Sequence, residues 1–338
     1  MALWTDIITP AELTGYARAS LSAYEVAKGT LARWLPNKEV ADISVRFVAG
    51  QFGLVDEARY RAYDAEPEFG KRLAGKRVSI ELPAVSQKLA VSEYFQLRTR
   101  NASDEQLRNA ILKDTEAAVQ AVADRTERMR GTVLQTGIAT IAQDNFATAD
   151  NFGRDASHTV TAGALWSTAA VDRMTYLQAL TDLFVTDNGE QPGALVMSTR
   201  VLRALQSGTQ FGTALVNGGS RPATIDDVRN TVSGAGLPDI YLYDRRTSAG
   251  KVLSDDTVLL LPAPVDPVGG ESPLGATFWG QTLTSVDPNF GIEPSEQPGV
   301  VAGVYRNEQP PMIAEVIADA IALPVLANAN LSIAAKVL

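Results

Sequence analysis

The feature that most constrains the fold is a long helix with a strong start signal. Ser103 and Gln106 have the spacing of a capping box, in which two side chains bond the free amides at a helix N-terminus. Because glycine favours helix ends, the helix is predicted to stop at Gly131 or Gly137, which makes it roughly 40 Å long. Such a helix is long for a globular domain. Its apolar face is rich in alanine, which allows another backbone to pack closely: Leu107, Ile111, Ala118, Ala121, Val122 and Met129.

Acid–base pairs are predicted on the polar face of this helix. Asp104 precedes Arg108 by four residues, and Asp124 precedes Arg128 by the same spacing. Residues four apart are neighbours on a helix surface, and the acid-first order is the favourable one. Two ion pairs within the helix are therefore expected.

A second amphipathic helix is predicted at the N-terminus. Thr9 is a suitable N-cap, Pro10 fits the first helical position and Glu12 completes a capping box. Apolar residues recur at helical spacing as far as Leu35, and Pro36 is expected to end the helix. A helix of this kind is expected to dock on a core, either of its own chain or of a partner.

Residues 44–102 change to strand signals. Val45 and Phe47 alternate with polar neighbours, and the same alternation returns over 78–91. Between them, residues 60–72 are polar and charged and include proline and glycine. The whole segment is predicted to form a long two-stranded ribbon with an irregular tip. Because an isolated ribbon is only marginally stable in water, it needs a surface to lie on, and a neighbouring subunit is a good candidate.

The rest of the chain mixes both types of element without the alternation of βαβ proteins, so the predicted class is α+β. Helices are predicted over Thr168–Val185, after Ser198 and over Asp226–Val232. Strands are predicted over 192–197, 240–243 and 257–261 and within 300–338.

Charge is unevenly distributed along the chain. The net charge is −9, from 39 acidic and 30 basic residues. Residues 44–102 carry ten basic and seven acidic residues, or +3, whereas residues 1–43 carry −1 and residues 103–338 carry −11. An acidic protein is poorly suited to tight nucleic-acid binding, which depends on basic contacts to phosphates. The asymmetry is either without function or places the basic segment on an acidic surface of a neighbouring copy.

Four basic residues are the candidates for such an inter-subunit contact. Lys71, Arg72, Lys76 and Arg77 form a dense basic patch beside the tip of the ribbon. Phosphate is an alternative partner for them, but the negative net charge favours acidic protein.

Little in the sequence points to catalysis. There is no cysteine, which excludes thiolate chemistry, and the single histidine, His158, lies in a polar segment where a surface position is expected. The pairs Asp226-Asp227 and Asp255-Asp256 have the residue type that acts as acid and base in glycoside hydrolysis. Their positions, at a predicted helix start and in a turn before a strand, favour structural roles. No catalytic residue, metal or cofactor is predicted.

No signal for export or membrane insertion is visible. The N-terminus lacks a basic region followed by an apolar stretch, and no apolar run approaches the ~20 residues that span a bilayer. The protein is expected to be made and kept in the cytoplasm, with no membrane partner.

The order of elements resembles the Hong Kong 97-type capsid fold, and the sequence is similar to the lambda-type major capsid protein E family of tailed bacteriophages. Tyr60–Glu66 followed by Gly70–Arg72 resembles the family's extended loop. The helix over 104–131 matches the spine helix in place and length, and it leads into the family-like Gly131–Gly137. Looser similarity covers the rest of the chain: Pro10–Gly15, Gly193–Leu205, Asp256–Leu261 and Gly275–Gly280.

This resemblance implies a division of the chain and a function. The division is an N-terminal arm over 1–43, an extended loop over 44–102, a peripheral domain with the spine helix over 103–159, an axial domain over 160–285 and a return to the peripheral domain over 286–338. Copies would assemble as hexamers and pentamers into the icosahedral head of a virion, in the cytoplasm of a bacterial host. The implied partners are scaffolding, portal and decoration proteins and, through weak non-specific contact, packaged double-stranded DNA.

Two other functions are compatible with the sequence. An encapsulin-like bacterial nanocompartment shares the fold but encloses an enzyme. A soluble hydrolase would use the aspartate pairs as its catalytic carboxylates.

Overall fold

The computed structural model describes residues 5, 7–49, 76–99, 103–143, 146–168, 170–214, 219–288, 291–294, 297–307 and 309–338. Seven α-helices lie within these residues: α1 Pro10–Lys28, α2 Glu93–Arg98, α3 Asp104–Thr136, α4 Arg173–Asn188, α5 Thr199–Gln206, α6 Ile225–Gly234 and α7 Leu283–Val286.

The strands of the same residues are short apart from one that lies at the centre of a sheet. In chain order they are β1 Asn37–Glu39, β2 Ser44–Ala49, β3 Lys76–Glu81, β4 Ala84–Val91, β5 Ile138–Gln143, β6 Phe146–Asn151, β7 Thr159–Thr161, β8 Ala194–Met197, β9 Thr213–Ala214, β10 Ser220–Arg221, β11 Asp239–Leu242, β12 Arg246–Thr247, β13 Gly250–Lys251, β14 Thr257–Leu261, β15 Gly275–Gly280, β16 Val301–Arg306, β17 Ala314–Leu326 and β18 Ile333–Lys336.

The first sheet is built around β17, which has 13 residues. β15 and β16 follow one another along one edge of β17, and β4 pairs with the opposite edge. β1 joins β15 in parallel. Burial alternates along the first half of β17, because one face packs against α3 while Glu315 and Asp319 lie on the other, partly exposed face. Helix α1 packs beside α3 on the neighbouring strand β16.

The second sheet has the strand order β11-β8-β14-β18-β7. β8 is buried at every position, and β14 at every position after its first, as expected for short apolar strands covered on both faces. Helices α4, α5 and α6 contribute apolar residues to the core around this sheet. The C-terminal strand β18 lies here, between β14 and β7, although it belongs by chain order to the segment 286–338.

Helix α3 connects the cores of the two sheets. It has 33 residues, so it is roughly 50 Å long. Leu107 and Ile111 lie in the core of the first sheet, whereas Val133 and Leu134 lie in the core of the second. A Cβ atom on Gly131 would lie 2.5 Å from the carbonyl oxygen of Val252, so only glycine permits this approach of α3 to the second core.

Both predicted start signals are confirmed, and the ends of the helices differ from one another. The hydroxyl of Thr9 accepts the amide of Glu12, and Ser103 and Gln106 form the complete capping box of α3. Helix α3 continues to Thr136, the longer of the two predicted extents. It ends at Gly137, whose φ of 71° lies in the left-handed region.

The prediction that α1 continues to Leu35 is wrong. The helix ends at Lys28 because Gly29 has φ 76° and turns the chain away. Residues Leu31–Arg33 then form a separate 3-10 turn. Leu31 in this turn and Leu35 after it are buried in the core of the second sheet. The apolar spacing that suggests one helix therefore arises from two elements facing different cores.

The predicted ion pairs within α3 are replaced by pairs to other elements. Arg108 contacts Glu12 of α1, and Asp124 accepts from Arg245 at 3.0 Å. The Nη1 atom of Arg128 is buried without a hydrogen-bond partner in the described part of the chain. Helix α4 also begins later than predicted, at Arg173, because Asp172 is its N-cap.

Candidate subunit interface

The predicted ribbon is present, and its base rests on its own chain. β2 and β3 pair antiparallel from Ser44 opposite Glu81 to Ala49 opposite Lys76. At the base, Val45, Ile80 and Leu82 are buried in the core of the same subunit. Within the described residues, no further strand pairs with β2 or β3. The ribbon therefore extends from a buried base, and in the described residues the outer edges of β2 and β3 have no partner strand.

The four candidate contact residues fall in two groups. Lys76 and Arg77 lie in β3, opposite Ala49 and Val48. Lys71 and Arg72 lie outside the described residues. The backbone therefore places one pair of the basic patch on the ribbon, beyond its buried base.

Residues 84–91, which the sequence groups with the ribbon, lie in the first sheet. They form β4, which pairs with β17 from Ala84 opposite Ile321 to Val91 opposite Ala314. The segment predicted to need a foreign surface is thus shorter than 44–102. The alternation of β4 was visible in the sequence, but a partner strand more than 200 residues away was not.

An acidic face lies beside this edge of the first sheet. Ser86 donates to Asp319 at 2.5 Å, and Lys88 bonds Glu315 at 2.9 Å. Burial, together with the negative charges of Asp319 and Asp287, raises the pKa of Tyr305 to about 12. Asp319 and Asp287 thus place negative charge near Tyr305, on the face of the sheet that α1 and α3 leave free.

A buried ionic cluster fixes the elements behind this face. The guanidinium of Arg130 bonds Glu25 and Glu127, each at 2.8 Å, and the hydroxyl of Thr277 at 2.9 Å. Burial alone would lower the pKa of Arg130, but Glu25 and Glu127 outweigh it and the pKa is raised. The cluster joins α1, α3 and β15, and sequence spacing gave no sign of it.

A second set of contacts extends the cluster to the segment after β11. The hydroxyl of Tyr243 donates to Glu127 at 2.5 Å, and Arg245 bonds Asp124 and the carbonyl of Gly29. Burial and the charge of Glu127 raise the pKa of Tyr243. The paired charged groups of the cluster therefore link α1, α3, β15 and the segment after β11.

The aspartate pairs have separate structural roles. Asp227 accepts from the amide and hydroxyl of Thr224 in a capping box and pairs with Arg221, which together lower its pKa to about 2. Asp256 pairs with Lys336 at 3.2 Å, and its pKa is lowered despite burial. Asp227 and Asp256 each already have local donors, which gives no support to a hydrolase.

The prediction of a surface position for His158 is wrong. Its side chain is fully buried, and Nε2 lies 2.8 Å from Oδ2 of Asp187 near the end of α4. The polar residues around His158 in the sequence suggested an exposed segment, but the chain turns inward here. His158 is in a 3-10 turn capped by Asp155, next to β7.

Two other kinds of feature are missing from the described residues. No helix among them is long and apolar enough to cross a membrane. In the same part of the chain, no group of three or more histidine, cysteine, aspartate or glutamate side chains is placed to hold a metal ion.

Solved structures share this arrangement over nearly the whole chain. A prophage protein of Escherichia coli CFT073, assigned as a capsid protein, matches with a TM-score of 0.60 and 13% identity, covering 96% of this chain and 99% of its own. A phage-related protein of Bordetella bronchiseptica RB50 matches with a TM-score of 0.57 and 14% identity, covering 96% and 95%. Such identities show the fold alone, and the fold is that of a Hong Kong 97-type capsid subunit.

The family follows from the sequence itself. The profile of phage major capsid protein E matches residues 47–277, which is more than half of the chain. The chain belongs to this family of structural proteins, and its role is to form the capsid of a virion. Among curated proteins, none matches the sequence.

Proposed function

We propose that copies of this protein associate as hexamers and pentamers into the icosahedral head that encloses the double-stranded DNA of a tailed phage. The observation that carries this proposal, beside the family, is the β2–β3 ribbon. It extends from a buried base with unpaired edges in the described chain, and a two-stranded ribbon gains stability from a surface to lie on. A neighbouring copy in a shell supplies that surface, and no catalytic activity is proposed.

The contact is electrostatic in part. Residues 44–102, which include the ribbon and the four basic residues Lys71, Arg72, Lys76 and Arg77, have a net charge of +3, whereas residues 103–338 carry −11. Glu315 and Asp319 contribute to an acidic face of the first sheet. We therefore propose that the four basic residues of one copy lie on acidic residues of the next.

The implied partners follow from the same proposal. A scaffolding protein, a portal and a decoration protein would join the shell in the cytoplasm of the bacterial host. The packaged DNA would contact the shell weakly, because a protein of net charge −9 offers few cations to displace counterions.

The division of the chain is also a proposal. Residues 1–43 form the arm, 103–159 with 286–338 the peripheral domain and 160–285 the axial domain. Support comes from the separate first and second sheets. Two strands do not follow the proposed boundaries: β4, from the loop segment 44–102, is in the first sheet, and β18, from the segment 286–338, is in the second.

The first experiment is negative-stain microscopy of the purified full chain. Closed shells or capsomers are expected, whereas small discrete oligomers alone would contradict the proposal. Particles from producing cells separate a phage from an encapsulin-like compartment: heads with DNA and tails support the first, and shells holding an enzyme support the second.

A charge reversal tests the contact. Replacing Lys71, Arg72, Lys76 and Arg77 by glutamate should reduce the yield of shells strongly while circular dichroism shows a folded subunit. The matched control exchanges lysine for arginine and arginine for lysine at the same positions, which keeps the charge and should assemble. Normal assembly of the reversed variant would contradict the contact.

A further inference from the structure

The outer edge of β4 has no partner strand in the described chain. β4 pairs with β17 on one side only. The carbonyl of Pro83 accepts from the amide of Ala322, which sets the alternation of the ladder. Because backbone groups along an antiparallel strand point alternately to its two sides, the following residues direct their amides and carbonyls away from β17: Ala84, Ser86, Lys88 and Ala90.

This edge is exposed and poorly protected against strand addition. The same four residues are all exposed. Proteins commonly guard an edge with a free charge, and the one charged residue of β4, Lys88, is turned back onto β17 by its bond to Glu315. A row of unpaired backbone groups of this kind is a template for another strand.

A cleft lies beside the first half of the edge. It has a volume of about 310 Å³ and is lined continuously by residues 83–87. Its opposite walls come from α3, with Arg125 and Met129, and from the β5–β6 hairpin, with Ile141 and Phe146. The cleft gives side chains of an added strand a mixed polar and apolar place to lie.

The chain itself contains a strand that suits this edge. The outer edges of the β2–β3 ribbon are unpaired within the described residues, so its outward backbone amides and carbonyls also have no partner strand there. Its sequence is basic at Lys76 and Arg77, while Glu315 and Asp319 lie on the exposed face of β17 next to β4. The unpaired edge and basic residues of the ribbon in one copy are thus complementary to the unpaired edge of β4 and the acidic residues beside it in another copy.

We propose that β4 receives a strand of the β2–β3 ribbon from a neighbouring copy, which extends the first sheet across the subunit boundary. This inference rests on the proposed function, since it assigns the receiving surface for the ribbon. The added strand would bond the outward groups of β4 while the ladder to β17 stays unchanged.

A proline substitution at the edge tests this strand addition. Ala84→Pro removes one outward amide that the β17 ladder does not use, and proline is tolerated on the open side of an edge strand. The matched control is Ala84→Thr, which adds similar bulk but keeps the amide. We expect Ala84→Pro to fold with an unchanged thermal midpoint and to lose at least tenfold in shell yield, whereas Ala84→Thr assembles. Normal shell yields from both variants would overturn the proposal.

Hydrogen exchange of the unmodified protein gives an independent test if either variant fails to fold or both fail to assemble. In unassembled subunits the amides of Ala84, Ser86, Lys88 and Ala90 should exchange fast. In shells the peptide over 84–91 should gain slow amides at these alternate positions. No gain of protection on assembly would overturn the strand addition.

The outcome is separable from that of the proposed function. If the charge-reversed ribbon fails to assemble while Ala84→Pro assembles, the ribbon contact stands and the assignment of β4 as its receiver is wrong. If the unmodified chain forms no shells at all, the proposed function fails first.

Discussion

Arg130 of α3 and Glu25 of α1 form a buried ion pair, with Nη1 and Oε1 2.8 Å apart and the two side chains 0% and 7% exposed. Glu127 shares the same guanidinium nitrogen. A charge removed from water in this way costs several kcal/mol unless its partners stay in place. The pair therefore makes the position of the N-terminal helix depend on a single side chain of the spine helix.

Arg130→Met should destabilise the subunit strongly. The change leaves Glu25 and Glu127 buried without their cation, which we expect to lower the free energy of unfolding by about 3–5 kcal/mol. Denaturant unfolding of unassembled subunits is the measurement. Arg108→Met, at the partly exposed pair with Glu12, is the control and should cost less than about 1 kcal/mol. Similar losses in the two variants would show that burial does not set the cost.

Two glycines in helices should respond in opposite directions to alanine. A Cβ atom added to Gly15 in α1 would have no other atom within 4 Å, so Gly15→Ala should stabilise the subunit by about 0.5–1 kcal/mol. Gly131→Ala forces a Cβ against the carbonyl of Val252 and should destabilise it despite the better helix propensity. Thermal unfolding of both variants checks the difference in sign. A gain in stability for Gly131→Ala would mean that α3 can move off the second core at little cost.

The bond between His158 and Asp187 should contribute to the stability of the subunit. Asp187→Ala removes the partner of a buried imidazole nitrogen, and an expected loss is about 1–2 kcal/mol. Asp187→Asn keeps an oxygen that can accept, so it should lose less. Urea unfolding at neutral pH distinguishes the two. Equal losses would mean that the hydrogen bond is not what matters at this position.

Asp227 should contribute to the loss of folding stability at acidic pH. Its pKa is depressed from 3.8 to about 2 by Thr224 and Arg221, so the folded state favours the ionised form. A depressed pKa adds stability above the ordinary value, and that part is lost as the pH falls through about 2. The stability difference between the unmodified protein and Asp227→Asn should therefore shrink between pH 4 and 2, as followed by unfolding at a series of pH values. A difference that stays constant would contradict the assignment.

Local signals in the sequence predicted where α1 and α3 begin. Thr9 and Ser103 are caps whose geometry depends only on residues within one turn. The end of α1 was missed because Leu31 and Leu35 continue its spacing while facing another core. Helical spacing of apolar residues in a sequence indicates which residues are buried together on one face of a helix, but it does not indicate in which core each residue lies.

Pairings between distant segments could not be predicted. β4 meets β17, and His158 meets Asp187, through tertiary packing that no short window of sequence contains. The basic ribbon, which is one side of the candidate interface, could be predicted because charge and the alternation of apolar residues are local properties of the sequence. The receiving edge depends on which side of β4 stays unpaired, and that is fixed only when β17 has taken the other side.

The unbroken course of α3 through both cores has a consequence for how such a chain can be altered. A helix that is shared by two cores leaves no point at which the protein divides into independent modules, so an insertion between Asp104 and Thr136 would interrupt both at once. Foreign peptides displayed on this protein should therefore be tolerated at the turns between strands. By the same reasoning, exchanging one half of the subunit for that of a relative should require the matching half of the helix.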